Sequence, residues 1–265
     1  MPIETFKSIR LTQENGVAQL LLCQGQRGNP VDAEMCAELC EVATLLAHDP
    51  GVRAVLLTAE GPNFSVGGDV SMFVEYLDTL PSQIARWTAD LHVGLARLQR
   101  MDAPIVVAVQ GMCVGGMVGI AAGADIVIAN SEARFVAAYP KIGFCCDAGT
   151  SVMLSRRMGL SKARKFLLLN ETLQADAAAS AGLVDEVVDP LRLNERAAHV
   201  AAQLAEGPTR AFGEIRRLML SAATEPLETQ LELEAQGLSR IAATHDAREG
   251  LSAFAEKRSA KFEGR

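Results

Sequence analysis

The stretch Ile105-Val106-Val107-Ala108-Val109-Gln110-Gly111-Met112-Cys113-Val114-Gly115-Gly116-Met117-Val118-Gly119 decides the fold. An apolar, β-branched run leads into a glycine turn, then into a small apolar segment, Gly115 to Gly123, that reads as a buried helix. Strand, tight turn and buried helix in that order belong to an α/β core. The glycine spacing excludes two common uses of such a junction. Glycines at 111, 115, 116 and 119 do not form Gly-x-Gly-x-x-Gly, and no Gly-Lys-Ser/Thr follows. What is left is a helix amino terminus with free N–H groups and partial positive charge, suited to an oxygen that becomes an anion. Close packing of a glycine-bearing helix would account for the same residues without chemistry.

The same grammar recurs upstream. A buried strand over 52–59 leads to Phe64-Ser65-Val66-Gly67-Gly68-Asp69 and a following helix. Two glycine turns on separate strand–helix junctions suggest two backbone amides facing one oxygen, an oxyanion hole. Asp69 as a simple N-cap is the alternative there. Further out, Asn15-Gly16 joins two strand-like runs, Phe6 to Leu11 and Val17 to Leu22, into a hairpin. Asp32 to His48 is a helix with Met35, Leu39, Val42 and Leu46 on one stripe. Gln83 to Met101 is a long helix carrying Trp87, His92 and Leu98, and Asp125 to Asn130 is a short strand. Beyond Asp147 the chain reads as mostly helical, over 147–158, 161–169, 174–181, 191–206, 208–222, 226–242 and 246–260. The expectation is an α/β core over 1–200 that carries the site and a helical carboxy-terminal region over 201–265. The sequence shows no internal repeat and no long linker.

Composition narrows the function. Thirty-two acidic against 25 basic residues give a net charge of −7, a poor balance for nucleic acid or an anionic membrane. Six cysteines include no Cys-x-x-Cys, and with four histidines they show no zinc spacing; no metal is expected. No apolar run reaches the ~18 residues of a membrane span, and no signal-peptide pattern opens the chain. The reading is a soluble, cytoplasmic protein with free thiols.

Asp147 is the lone acid between Ile142 and Leu154. Burial there would raise its pKa and make it a usable base. The competing reading is an N-cap for the 147–158 helix, with Thr150 and Ser151 in its first turn. Cys145 and Cys146 have no adjacent base to make them nucleophiles.

With these motifs in order, the chain resembles the crotonase superfamily, the enoyl-CoA hydratase/isomerase family. The likeness runs from Asn15-Gly16 through Phe64 to Asp69, Val109 to Gly116, Gly143 to Gly149 and Ala181-Gly182-Leu183-Val184-Asp185 to the tail from Glu249 to Arg258. It implies a spiral of ββα turns with a helical carboxy-terminal trimerisation region, a homotrimer or homohexamer, and an acyl-CoA thioester as substrate rather than a covalently bound cofactor. By position it assigns the oxyanion amides to Gly68 and Gly116. Hydratases of this family resemble one another in two glutamates, at the places held here by Gly119 and Tyr139, so two-glutamate hydration is not expected and Gly119 should leave room. Double-bond-shifting members have an acid at the Asp147 place, which implies a 3-enoyl to 2-enoyl shift with Asp147 as acid/base. Tyr139 is a secondary candidate; a decarboxylase using it, or an enoyl-CoA hydratase that has moved its acid to Asp147, is a further possibility. Local similarity to 4-chlorobenzoyl-CoA dehalogenases implies a competing reading, Asp147 as nucleophile and His92 as base, against a plain solvent-facing His92. For CoA, the resemblance points to Arg27, Val66, Lys257 and Phe254, with Lys257 serving a neighbouring subunit. A non-catalytic CoA-binding protein is the remaining alternative.

Overall fold

The computed structural model describes residues 4–265. The strands are β1 (Glu4–Thr5), β2 (Ile9–Glu14), β3 (Val17–Leu22), β4 (Ala54–Ala59), β5 (Ile105–Val109), β6 (Met112–Val114), β7 (Ile126–Asn130), β8 (Arg134–Val136), β9 (Thr172–Gln174) and β10 (Glu186–Val188). Asn15 and Gly16 both take left-handed φ, 49° and 81°, which reverses β2 onto β3 as a two-residue hairpin. From β3 onward the large sheet is parallel, in the order β1-β2-β3-β4-β5-β7-β10. β5 is buried on both faces: Val107 and Val109 join one core, Val106 and Ala108 the other.

A second, small ladder runs beside the sheet. β6 pairs with β8 and β8 with β9, and single bridges extend it from Ser65 to Cys113 and from Val31 to Gly68. The chain therefore winds as a spiral. Each turn places a strand in the large sheet, a short piece in the ladder, and then a helix. The helices are α1 (Ala33–His48), α2 (Val70–Glu75) with α3 (Leu80–Arg100), α4 (Gly116–Ala122), and α5 (Thr150–Met158) with α6 (Leu160–Leu169). The repeat is geometric, which is why it leaves no repeat in the sequence. It brings the ends of successive ladder pieces, and the helix amino termini after them, to one edge of the molecule.

Beyond α7 (Ala175–Ala181), α8 (Leu193–Ala205) buries Leu193, Ala197, Ala201 and Ala205 against Leu56, Val106, Ala108 and Ile128 of the sheet. Position 200 thus lies inside a helix that packs on the sheet. α9 (Thr209–Ser221), α10 (Leu227–Ala242) and α11 (His245–Glu256) follow. Two expected helices differ. The one expected from Asp147 begins at Thr150, because Ala148 and Gly149 take left-handed φ and turn the chain first. The one expected to reach 260 ends at Glu256, where Lys257 is a left-handed cap. Asp246 accepts the Glu263 and Gly264 N–H groups and draws the tail back along α11.

Candidate active site

The two glycine turns meet. Gly67 adopts φ 85°, and a side chain there would lie 3.0 Å from the Val114 carbonyl; Gly115 adopts φ 60°, and a Cβ on it would lie 3.9 Å from the Gly67 Cα. Ser65 fixes the first turn by donating to the Asn29 carbonyl and accepting the Gly67 N–H. Asp69 caps α2 through the Ser71 and Met72 N–H groups, so its N-cap reading holds. Gly116 opens α4, where an N–H has no acceptor inside the helix. Among the described residues, neither the Gly68 nor the Gly116 N–H has a protein acceptor. Both glycines line one cavity of about 550 Å³.

Asp147 lines the same cavity. It sits in the turn ahead of α5 and caps nothing with its side chain. Its Oδ1 accepts the Tyr139 hydroxyl at 2.7 Å, and a Cβ on Gly116 would lie 3.0 Å from that same oxygen. The carboxylate therefore borders one of the two free amides. Its Oδ2 has no protein donor among the described residues. The second acid of the cavity, Asp32, is different: it caps α1 through the Met35 N–H at 2.9 Å and pairs with Arg27. Burial first, then the Asp147 charge, pushes the Tyr139 phenol far above its ordinary ionisation range. Tyr139 is thus a neutral donor throughout the physiological range. Burial likewise raises the Cys36 thiol to about 12, with Asp147 and Asp32 adding to the shift.

Sequence reasoning missed Thr150 as a neighbour of the site. The space beside Gly119 is not open: a Cβ there would lie 2.2 Å from Thr150 Oγ1 and 2.8 Å from its Cα. Thr150 is fully buried and its hydroxyl reaches the Tyr139 hydroxyl at 3.2 Å. The expectation of room at Gly119 is overturned, because the first turn of α5 packs directly on α4. No local signal marks this contact.

The rest of the wall is apolar. Phe73 stacks on Trp87 and on Phe144, with centroids 6.2 and 5.6 Å apart, and Leu91 and Ile84 line the cavity beside them. His92 is exposed on α3 and does not line the cavity. Its Nε2 accepts the Ala148 N–H at 3.2 Å, which requires the Nδ1–H tautomer. Arg27 lines a neighbouring cavity of about 530 Å³ that shares Val66, Gly68 and Val70 with the first. The Arg27 guanidinium pairs with Asp69 at 2.7 Å and Asp32 at 3.1 Å. Phe254, 86% exposed, and Lys257 lie on or just beyond α11 and line neither cavity in this chain.

A crystal structure assigned as an enoyl-CoA hydratase/isomerase from Mycobacterium abscessus superposes with a TM-score of 0.91 at 37% identity, covering 97% of this chain and all of that one. The family model for enoyl-CoA hydratase/isomerase matches residues 12–265. The chain belongs to the enoyl-CoA hydratase/isomerase family. Among curated relatives, it is 35% identical to a 1,2-epoxyphenylacetyl-CoA isomerase of Escherichia coli over 95% of this chain and 97% of that protein. It is 30% identical to a trans-2-decenoyl-[acyl-carrier-protein] isomerase of Streptococcus mutans over 98% and 99%. A 4-chlorobenzoyl coenzyme A dehalogenase from Arthrobacter is also 30% identical, over 87% and 84%. The protein is thus an acyl-CoA enzyme of the crotonase fold, with isomerases, hydratases and dehalogenases among its relatives.

Proposed function

We propose that this enzyme shifts a double bond in an acyl thioester, 3-enoyl-CoA to 2-enoyl-CoA, with Asp147 as the single acid/base. One observation carries the reading: Asp147 is the cavity carboxylate with an oxygen left unpartnered, and it borders one of two free amides. The thioester oxygen sits between the Gly68 and Gly116 N–H groups. Asp147 Oδ2 takes the proton from C2, and the C–H electron pair enters a dienolate whose negative oxygen the two amides stabilise. The acid then returns its proton at C4, and the double bond lies between C2 and C3. Each amide is worth about 2.7–4 kcal/mol of barrier in such a site, and the base about 10²–10⁴ in rate.

Hydration is less well served. The two positions where the family's hydratases carry glutamates hold Gly119 and Tyr139, and Thr150 fills the space beside the first. Hydrolytic dehalogenation would need His92 as base, yet its Nε2 is engaged by the Ala148 N–H and its ring lies outside the cavity. The CoA moiety fits the neighbouring cavity beside Arg27 and Val66, where a phosphate would share or exchange the guanidinium's two carboxylate partners. Lys257 and Phe254 serve a neighbouring copy in a trimer or hexamer. The deciding experiment is product analysis by mass spectrometry after incubation with 3-enoyl-CoA. A conjugated product of unchanged mass supports the proposal; a product heavier by one water, with no conjugated isomer at early times, refutes it.

A further inference from the structure

Resting on that reading, the geometry points to Thr150 as a positioning residue that acts through Tyr139 to keep the transferred proton on Asp147 Oδ2. The hydrogen-bond directions leave one arrangement. Tyr139 has a single hydroxyl proton, and the Asp147 carboxylate can only accept, so that proton lies in the 2.7 Å bond to Oδ1. Thr150 Oγ1, 3.2 Å away, must then be the donor to the Tyr139 oxygen. The Asp147 N–H approaches the same oxygen at 3.4 Å. The phenol accepts on one side and donates on the other, so each bond polarises the next. The chain Thr150–Tyr139–Asp147 ends on Oδ1 and leaves Oδ2 for the substrate.

Position makes this more than packing. Among the described residues the Thr150 hydroxyl has no other partner: it is fully buried, lies against Gly119, and points its oxygen at Tyr139. A Cβ on Gly116 would lie 3.7 Å from the Tyr139 oxygen and 3.0 Å from Asp147 Oδ1, so the relay ends beside an oxyanion amide. When Oδ2 takes the C2 proton, Asp147 becomes a carboxylic acid. Tyr139 still donates to Oδ1, so the acid cannot turn that oxygen to the substrate. The proton stays on the oxygen facing the dienolate, and C4 receives it before solvent does.

The test uses a 3-enoyl-CoA deuterated at C2 and follows deuterium at C4 of the product. Thr150→Val keeps the bulk beside Gly119 and removes the hydroxyl. The expected result is a kcat about 5–20-fold lower, of the size one lost hydrogen bond gives, with KM within twofold and clearly less deuterium at C4. Tyr139→Phe gives at least the same loss of retention, and Thr150→Ser restores both kcat and retention. Wild-type retention in Thr150→Val, or a loss of kcat that Thr150→Ser does not recover, overturns the inference. Two controls separate the levels: no conversion by the wild type sinks the isomerase reading, full activity in Asp147→Asn sinks Asp147 as its acid/base, and an inactive Asp147→Asn beside a wild-type-like Thr150→Val sinks only the role of Thr150.

Discussion

Asp147 is held by strained backbone. Ala138 and Ala148 take φ of 63° and 50°, a left-handed conformation that costs an L-residue roughly 1–2 kcal/mol. One precedes Tyr139 and the other follows Asp147, so both ends of the Tyr139–Asp147 hydrogen bond are set by such a residue. Ala148→Gly should relieve the strain and loosen the carboxylate together. The expected outcome is a Tm higher by about 2–4 °C with a lower kcat, read by calorimetry and steady-state kinetics. The cysteines offer a second check. Cys145 is exposed at the cavity wall, while Cys36 is buried with its thiol pushed up to about 12. Iodoacetamide near neutral pH should label Cys145 and spare Cys36, which holds almost no thiolate there; bound acyl-CoA should slow the labelling, as peptide mass spectrometry would show. At this scale Asp147 was legible as a lone acid in an apolar stretch. Thr150 was not, because its meaning arises from a contact with Gly119, 31 positions away, that only the packing of α5 on α4 creates.

Among the elements, α4 packs directly on the first turn of α5. Gly119 packs on the Thr150 backbone as well as its side chain, so rotamer changes alone cannot admit a larger residue. Gly119→Glu, which would restore one hydratase carboxylate, should instead destabilise the fold by about 1–3 kcal/mol or more, measured by urea unfolding, without hydration activity. One buried side chain does much of the anchoring of α9. Arg216, almost wholly buried, donates to the carbonyls of Leu98, Met101 and Ala103 and pairs with Asp125 at 2.9 Å. Arg216→Ala should cost roughly 3–5 kcal/mol by leaving these acceptors without a donor, seen as a lower urea midpoint. The long helices and the hairpin were readable from periodicity and from Asn15-Gly16. The three-residue strands β6, β8, β9 and β10 were not, since three residues carry no period and their pairing is set by the spiral.

For the molecule as a whole, the resemblance read from ordered motifs agrees with the family match over residues 12–265. Composition alone indicated only an acidic globular chain, and the α/β class came from the order of strand and helix patterns. The carboxy-terminal helices leave Met219, Leu227, Leu238, Leu251 and Phe254 each more than two-thirds exposed, an apolar load that association would bury. A trimer of 28.2 kDa chains should run at about 85 kDa in light scattering. Leu238→Glu and Leu251→Glu should shift that mass downward.

In the proposed reaction one carboxylate suffices. The most direct measurement is the ultraviolet rate of thioester conjugation on 3-enoyl-CoA substrates of several chain lengths, with wild type and Asp147→Asn side by side. The conjugated 2-enoyl thioester should appear with at least one chain length, and the rate should drop about 10²–10⁴-fold in the variant with KM little changed. Conjugation at an undiminished rate in Asp147→Asn, or none in the wild type at any chain length, would contradict the proposal.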